Sequence, residues 1–334
     1  MKISVLGAGA WGTTLALVLN SNGHEVTLWE FNEDYCTKMQ SRLENFTFLP
    51  GIPLPNNLII THDLETAVCG KEMVVIAVPT QFIRGVISKI DPNTIKNTIL
   101  VSVSKGIEIN TNLTVSKIFS DVFKNISPSQ LSVLSGPSHA EEVSRKIPTL
   151  VAVASSDIQT SKIVQSAFMT SYFRVYSSTD IIGVEMGGAF KNVIAVGAGI
   201  LDGAGYGDNT KAALMTRGVA EISRLGIALG AKPETFAGLS GMGDLIVTCM
   251  SKHSRNRYVG EKIGSGMKLS EVLKGMSAVA EGVATSKSAS ALARQHDIDA
   301  PITFEVYKIL FEDKDPIQAT MDLMTRDMKH ESDL

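Results

Sequence analysis

Lys2-Ile3-Ser4-Val5-Leu6-Gly7-Ala8-Gly9-Ala10-Trp11-Gly12 opens the chain, and Glu25-Val26-Thr27-Leu28-Trp29-Glu30 follows after one amphipathic stretch. The run Ile3 to Leu6 has the length and residue types of a buried strand. Trp11 to Asn22 then places Leu15, Val18 and Leu19 on one helical face. Gly7-x-Gly9-x-x-Gly12 lies between them, and three glycines alone are a weak signal. Context makes the signal specific: a strand leads in, a helix leads out, and a second strand ends on Glu30, 18 residues past Gly12. Each glycine has its own reason. Gly7 permits the tight turn, Gly9 lets backbone N–H groups approach a pyrophosphate, and Gly12 lets the helix pack close to the strand. The helix start adds partial positive charge for the phosphates. A carboxylate at Glu30 accepts hydrogen bonds from ribose hydroxyls and repels a 2′-phosphate, and neither Phe31 nor Asn32 supplies a compensating positive charge. The expected dinucleotide is therefore NAD(H) in preference to NADP(H).

The alternation continues outward from this unit. Leu58 to Thr61, Met73 to Val78, Thr98 to Val103, Leu131 to Leu134, Thr149 to Ala154 and Phe173 to Ser177 are short runs rich in Val, Ile and Leu. Nearly continuous apolar strands separated by helical patterns, such as Val115 to Phe123, predict a mostly parallel sheet covered by helices. After Ser178 the strand signals stop. Helical patterns take over at Thr179 to Leu201, Asp208 to Gly230, Val259 to Gly266, Leu269 to Lys274, Gly282 to His296 and Thr303 to Glu312. Two domains are expected, 1–178 binding a dinucleotide and 179–334 all-α.

Composition narrows the function classes. With 31 Lys+Arg against 34 Asp+Glu, the net charge of −3 gives no global basic field for nucleic acid or anionic lipid. Three cysteines without metal-ligand spacing suit a reducing compartment, so the cytoplasm is expected. The N-terminal run is broken at Gly7 and is not read as a signal peptide. No membrane insertion is expected, because the apolar runs fall short of the about 18 residues needed. His139 and Glu142 are three apart with no further ligand nearby, so no metal is expected.

Polar clusters mark the candidate chemistry. Lys191 follows Gly187-Gly188-Ala189 by helical spacing, on a side where missing side chains would admit a ligand. A semi-buried lysine near other cations can exchange a proton near neutral pH. Leu239-Ser240-Gly241-Met242-Gly243-Asp244-Leu245 reads as a glycine-flanked loop presenting one carboxylate. Ser251-Lys252-His253-Ser254-Arg255-Asn256-Arg257 offers donors and guanidinium forks suited to an oxyanion or phosphate. Ser104-Lys105-Gly106 and Ser135-Gly136-Pro137-Ser138-His139-Ala140 stand at strand ends, where parallel sheets bind ligands.

Taken in order, Gly7-x-Gly9-x-x-Gly12, Ser104-Lys105-Gly106, Ser135-Gly136-Pro137-Ser138-x-Ala140, Gly188-Ala189-x-Lys191-Asn192, Gly207-Asp208-Asn209-x-Lys211-Ala212, Gly241-x-Gly243-Asp244-Leu245 and Ser254-Arg255-Asn256 span nearly the whole chain. This pattern resembles the bacterial NAD(P)-dependent glycerol-3-phosphate dehydrogenase family. The resemblance implies a Rossmann-type domain joined to an all-α domain like that of 6-phosphogluconate dehydrogenase. It also implies reversible reduction of dihydroxyacetone phosphate to sn-glycerol 3-phosphate, feeding glycerophospholipid synthesis, in a homodimer. On this resemblance Lys191 is the proton donor and acceptor, and Lys105 stabilises the developing alkoxide beside substrate and cofactor. Gly136, Ser138, Asp244, Ser254, Arg255 and Asn256 complete the substrate site, with Arg255 also touching the cofactor. Ala10, Trp11, Phe31, Ala140, Val279 and Glu281 join Gly7, Gly9, Gly12 and Glu30 around the cofactor. Two departures from many members stand out: Ala10 replaces a small polar residue, and Phe31 and Asn32 replace basic ones. Two other readings compete: a β-hydroxyacid dehydrogenase, which the phosphate-binding cluster at 254–256 argues against, and a non-catalytic dinucleotide sensor, which would leave Lys105, Lys191 and Asp244 idle.

Overall fold

The computed structural model describes residues 1–276, 278–328 and 330–331. The chain divides into two compact units, one of residues 1–104 with 115–181, the other of 105–114 with 182–334. The boundary read at 178 had assigned 105–114 to the first domain. The structure moves this segment to the second unit because Ile107 is fully buried in the helical core, and Ser288 Oγ donates to the Glu108 carbonyl at 3.2 Å.

The first unit is built on eight strands: β1 (Lys2–Leu6), β2 (Glu25–Trp29), β3 (Ile59–Thr61), β4 (Met73–Ile76), β5 (Ile99–Ser102), β6 (Leu131–Ser135), β7 (Thr149–Ala154) and β8 (Phe173–Ser178). Their order is β3-β2-β1-β4-β5-β6-β7-β8. All neighbours are parallel except β6 and β7, which pair antiparallel with Leu134 opposite Val153. β4 is buried along its whole length, as a strand covered on both faces must be. β8, at the edge, buries Phe173 and Val175 and exposes Arg174 and Tyr176. The strand order reverses at β1, flanked by β2 on one side and β4 on the other, which is where open α/β sheets bind their ligands.

The second unit is helical. The Ile181–Gly203 helix, 23 residues long, is buried from Gly183 to Leu201 and forms its centre. It is long and apolar enough to cross a bilayer by composition, yet 89% of its most apolar window is covered by the rest of the protein. This helix and the Arg255–Gly264 helix approach backbone to backbone. A Cβ on Gly199 would collide with the Arg257 carbonyl, on Gly203 with that of Glu261, on Gly260 with that of Val196, and on Gly264 with that of Ile200. The stretch read as a loop at 239–245 is instead a π-helical turn, Leu239–Gly243, leading into the Asp244–Met250 helix. Gly241 marks close packing: a Cβ there would strike the backbone of Phe236. A further helix, Pro316–Met324, went unread although Asp315 caps it by accepting from Gln318 N at 2.9 Å.

Candidate active site

In the first unit, Gly7 makes the turn out of β1 with φ +109°, and a Cβ there would lie 2.9 Å from the Ala77 carbonyl oxygen. A Cβ on Gly12 would strike the Gly7 carbonyl, so the Ala10–Ser21 helix packs against the strand end only because residue 12 is glycine. The first i→i−4 bond of this helix runs from Thr13 N to Gly9 O at 3.0 Å. The N–H groups of Ala10, Trp11 and Gly12 therefore have no intrahelical acceptor. No atom lies within 4 Å of a Cβ built on Gly9, which leaves the loop open there. The Trp11 ring packs on Phe173 at 6.4 Å between centroids.

Glu30 follows β2 and is 4% exposed. Its Oε1 accepts from Asn32 N at 3.0 Å, and burial raises its pKa against that hydrogen bond. Phe31 is 76% exposed. Asn32 caps the Glu33–Arg42 helix through Tyr35 N at 2.8 Å. Ala140 begins the short Ala140–Val143 helix, and its carbonyl accepts from Thr14 Oγ1 at 3.4 Å. Gly136, at φ +147°, could not carry a Cβ without meeting Val151 Cα at 2.9 Å, and Ser138 Oγ donates to its carbonyl at 2.8 Å. Open backbone donors at a helix start, no side chain over Gly9 and a buried carboxylate at the end of β2 fit a dinucleotide.

In the second unit, three charges meet. Lys105 Nζ reaches Asp244 Oδ2 at 2.7 Å, and Lys191 Nζ reaches Asp244 Oδ1 at 2.9 Å. Lys191 also donates to Thr248 Oγ1 at 2.7 Å, and that hydroxyl donates to the Asp244 carbonyl at 2.6 Å. Two ammonium groups share one carboxylate. Burial lowers the Lys191 pKa to about 8; Asp244 opposes the shift and Lys105 reinforces it. Burial alone would push Asp244 upward, but the two ammonium groups outweigh it and hold the carboxyl below its ordinary range. Nearby Cys249 is pushed up to about 12 by burial, which leaves it an inert thiol.

A line of amides supports the cluster. Asn192 Nδ2 donates to the Lys105 carbonyl at 2.8 Å, Asn256 Nδ2 to Asn192 Oδ1 at 2.8 Å, and Gly282 N to Asn256 Oδ1 at 2.9 Å. Ser254 caps the Arg255–Gly264 helix by accepting from Arg257 N at 3.2 Å, while Arg255 itself is exposed at the first position. Val279 is 39% exposed, and Glu281 opens the Glu281–Gln295 helix. Lys211 pairs with Asp202, which also binds Arg257 Nε at 2.6 Å.

Lys105, Lys191, Asp244 and Asn256 are thus joined by hydrogen bonds within one unit, and Gly7 to Gly12 and Glu30 cluster within the other. Gly187 does not serve the ligand approach read for it: a Cβ there would meet the Ser240 carbonyl oxygen at 2.6 Å, so its space is filled by the π-helical turn. Thr248 was missed. It lies four residues after Asp244 and shares its helix face, a signal visible only once 244–250 is read as helix.

The N-terminal model of NAD-dependent glycerol-3-phosphate dehydrogenase matches residues 2–161 and the C-terminal model residues 180–321. A glycerol-3-phosphate dehydrogenase [NAD(P)+] of Thermoanaerobacter sp. (strain X514) is 52% identical over 331 residues, 99% of each chain. That of Chlorobium phaeobacteroides (strain BS1) is 51% identical over 331 residues, again 99% of each. The crystal structure of the Coxiella burnetii glycerol-3-phosphate dehydrogenase superposes with a TM-score of 0.92 at 38% identity, over 97% of this chain and 99% of that one. With both family models matched in order and full-length relatives at this identity, the chain belongs to the NAD-dependent glycerol-3-phosphate dehydrogenase family.

Proposed function

We propose that the chain reduces dihydroxyacetone phosphate to sn-glycerol 3-phosphate, reversibly, with Lys191 as the group that gives and takes the proton. The observation that carries this assignment is the buried Lys105–Asp244–Lys191 cluster. A nicotinamide dinucleotide supplies the hydride. Lys191 Nζ, buried and held by Asp244 and Thr248, hands a proton to the carbonyl oxygen, and its lowered pKa suits transfer in both directions near neutrality. Lys105 places a second positive charge where the alkoxide develops. Asp244 orients both ammonium groups. Arg255 carries the charge that pairs with the substrate phosphate. Asn256, whose amide also engages Asn192 and Gly282, adds its second amide hydrogen there. Ser254, Gly136 and Ser138 complete the substrate contacts. Ala10, Trp11, Phe31, Ala140, Val279, Glu281, Lys105 and Arg255 border the cofactor. The family resemblance supports a cytoplasmic homodimer supplying glycerophospholipid synthesis, without membrane insertion, nucleic acid or metal.

NADH oxidation should proceed with dihydroxyacetone phosphate. With unphosphorylated dihydroxyacetone, kcat/KM should fall by roughly 10³-fold or more, since each lost charge-assisted hydrogen bond costs about 1.5–3 kcal/mol. Equal rates with both ketones, or activity confined to 3-hydroxyacids, would refute the assignment. Glu30 supports a second expectation: KM for NADH lower than for NADPH, because a 2′-phosphate would meet a buried carboxylate with no cation at Phe31 or Asn32. Initial rates with each cofactor at fixed ketone decide it, and a lower KM for NADPH overturns it.

A further inference from the structure

Asn45 lies outside every motif considered above, yet it is fully buried and bonded directly to the phosphate loop. Its Nδ2 donates to the Ala8 carbonyl at 2.7 Å and to Thr13 Oγ1 at 2.7 Å. Its Oδ1 accepts from Tyr35 OH at 2.7 Å and from Phe48 N at 3.2 Å. The amide's orientation is unambiguous, because the Ala8 carbonyl can only accept and the Phe48 N–H can only donate. Both hydrogens and both lone-pair directions of one side chain are thereby used.

The bond to Ala8 has a particular geometric consequence. The Ala8 carbonyl and the Gly9 N–H belong to one planar trans peptide and point in opposite directions. Holding the carbonyl toward Asn45 therefore aims the Gly9 N–H away from it. The second bond, to Thr13, reaches the first turn of the Ala10–Ser21 helix. One amide thus spans the loop from the residue before Gly9 to the helix that follows. Glycines leave this turn conformationally loose, and here the restraint comes from a side chain 37 residues away in sequence.

We infer that Asn45 is a positioning residue for the dinucleotide: it orients the Ala8–Gly9 peptide and the helix start, so that their N–H groups converge on the pyrophosphate before it binds. Tyr35, through its hydroxyl on Asn45 Oδ1, holds the amide in that orientation. The inference rests on the dinucleotide reading of the loop, and the dissociation constant of the unsubstituted protein for NADH tests that reading separately.

Asn45→Asp preserves shape and the acceptor used by Tyr35 and Phe48, but turns the donor facing Ala8 into an acceptor. In a folded variant, Kd and KM for NADH should rise roughly tenfold or more. The kcat at saturating NADH and KM for dihydroxyacetone phosphate should stay within about twofold. A merely structural role would behave differently: a smaller folded fraction lowers the maximal rate and leaves KM for NADH unmoved. Unchanged KM for NADH, or a drop confined to kcat, would overturn the inference. Should the aspartate variant fail to fold, Tyr35→Phe decides alone, since it removes one hydroxyl that rests on Asn45 Oδ1 and on Thr47 N. It should raise KM for NADH by about two- to fivefold with kcat maintained, and an unchanged KM would overturn the inference equally.

Discussion

Lys191→Ala should lower kcat for ketone reduction by roughly 10²- to 10⁴-fold, the range ascribed to a positioned general acid. NADH affinity should stay within about twofold, because Lys191 is not among the residues assigned to the cofactor. Folding is not expected to suffer: Asp244 retains Lys105 at 2.7 Å, and a buried ammonium whose pKa is depressed costs stability in its charged form. The pH dependence carries its own sign. Lys191 titrates at about 8, so the protonated form needed for reduction is present below that pH and is lost as pH rises through it. Oxidation of the alcohol needs the neutral amine and should gain over the same interval. Profiles of kcat/KM that bend in opposite senses near pH 8 for the two directions in the parent, and lose that bend in the variant, would fit this role. Retention of turnover within about threefold would remove Lys191 from proton transfer.

The second large effect concerns stability. Gly260→Ala should destabilise the protein by about 3 kcal/mol or more, since the added methyl would collide with the Val196 carbonyl, a backbone atom in the most buried helix. Gly85→Ala provides a contrast of opposite sign. Gly85 sits in the Thr80–Ile87 helix, exposed, with no atom within 4 Å of a Cβ. There alanine should stabilise by about 0.5–1 kcal/mol through helix propensity and lost unfolded-state freedom. Urea denaturation of both variants measures the two shifts. Equal effects would show that the glycine seam is not the tight contact described.

The central strands were legible because a buried parallel strand must be a short, nearly unbroken apolar run, as at Met73 to Ile76, while edge β8 showed itself by alternation, burying Phe173 and Val175. Glu30 was legible for a related reason: its place is set by the lengths of one helix and one strand. What escaped depended on distant partners. A glycine inside a helix announces that something comes close, but not what. Gly187 suggested a ligand and proved to face Ser240, and Gly241 suggested a loop and proved to face Phe236. Asn45 carried no local signal, since both groups it donates to, Ala8 and Thr13, lie more than 30 residues upstream. Lys105 and Lys191 were recognised individually, yet only the fold brings both to Asp244.

The excursion of residues 105–114 into the helical unit has a consequence for modularity. A gene severed near residue 180 would not yield a cofactor module and a catalytic module. The downstream fragment would lack Lys105 and its bond to Asp244, and a hole would remain where Ile107 fills the core. The upstream fragment would carry Ile107 without the core it packs into. The two units are therefore interleaved in the gene, so shuffling either one into another protein would have to carry this ten-residue segment with the right partner.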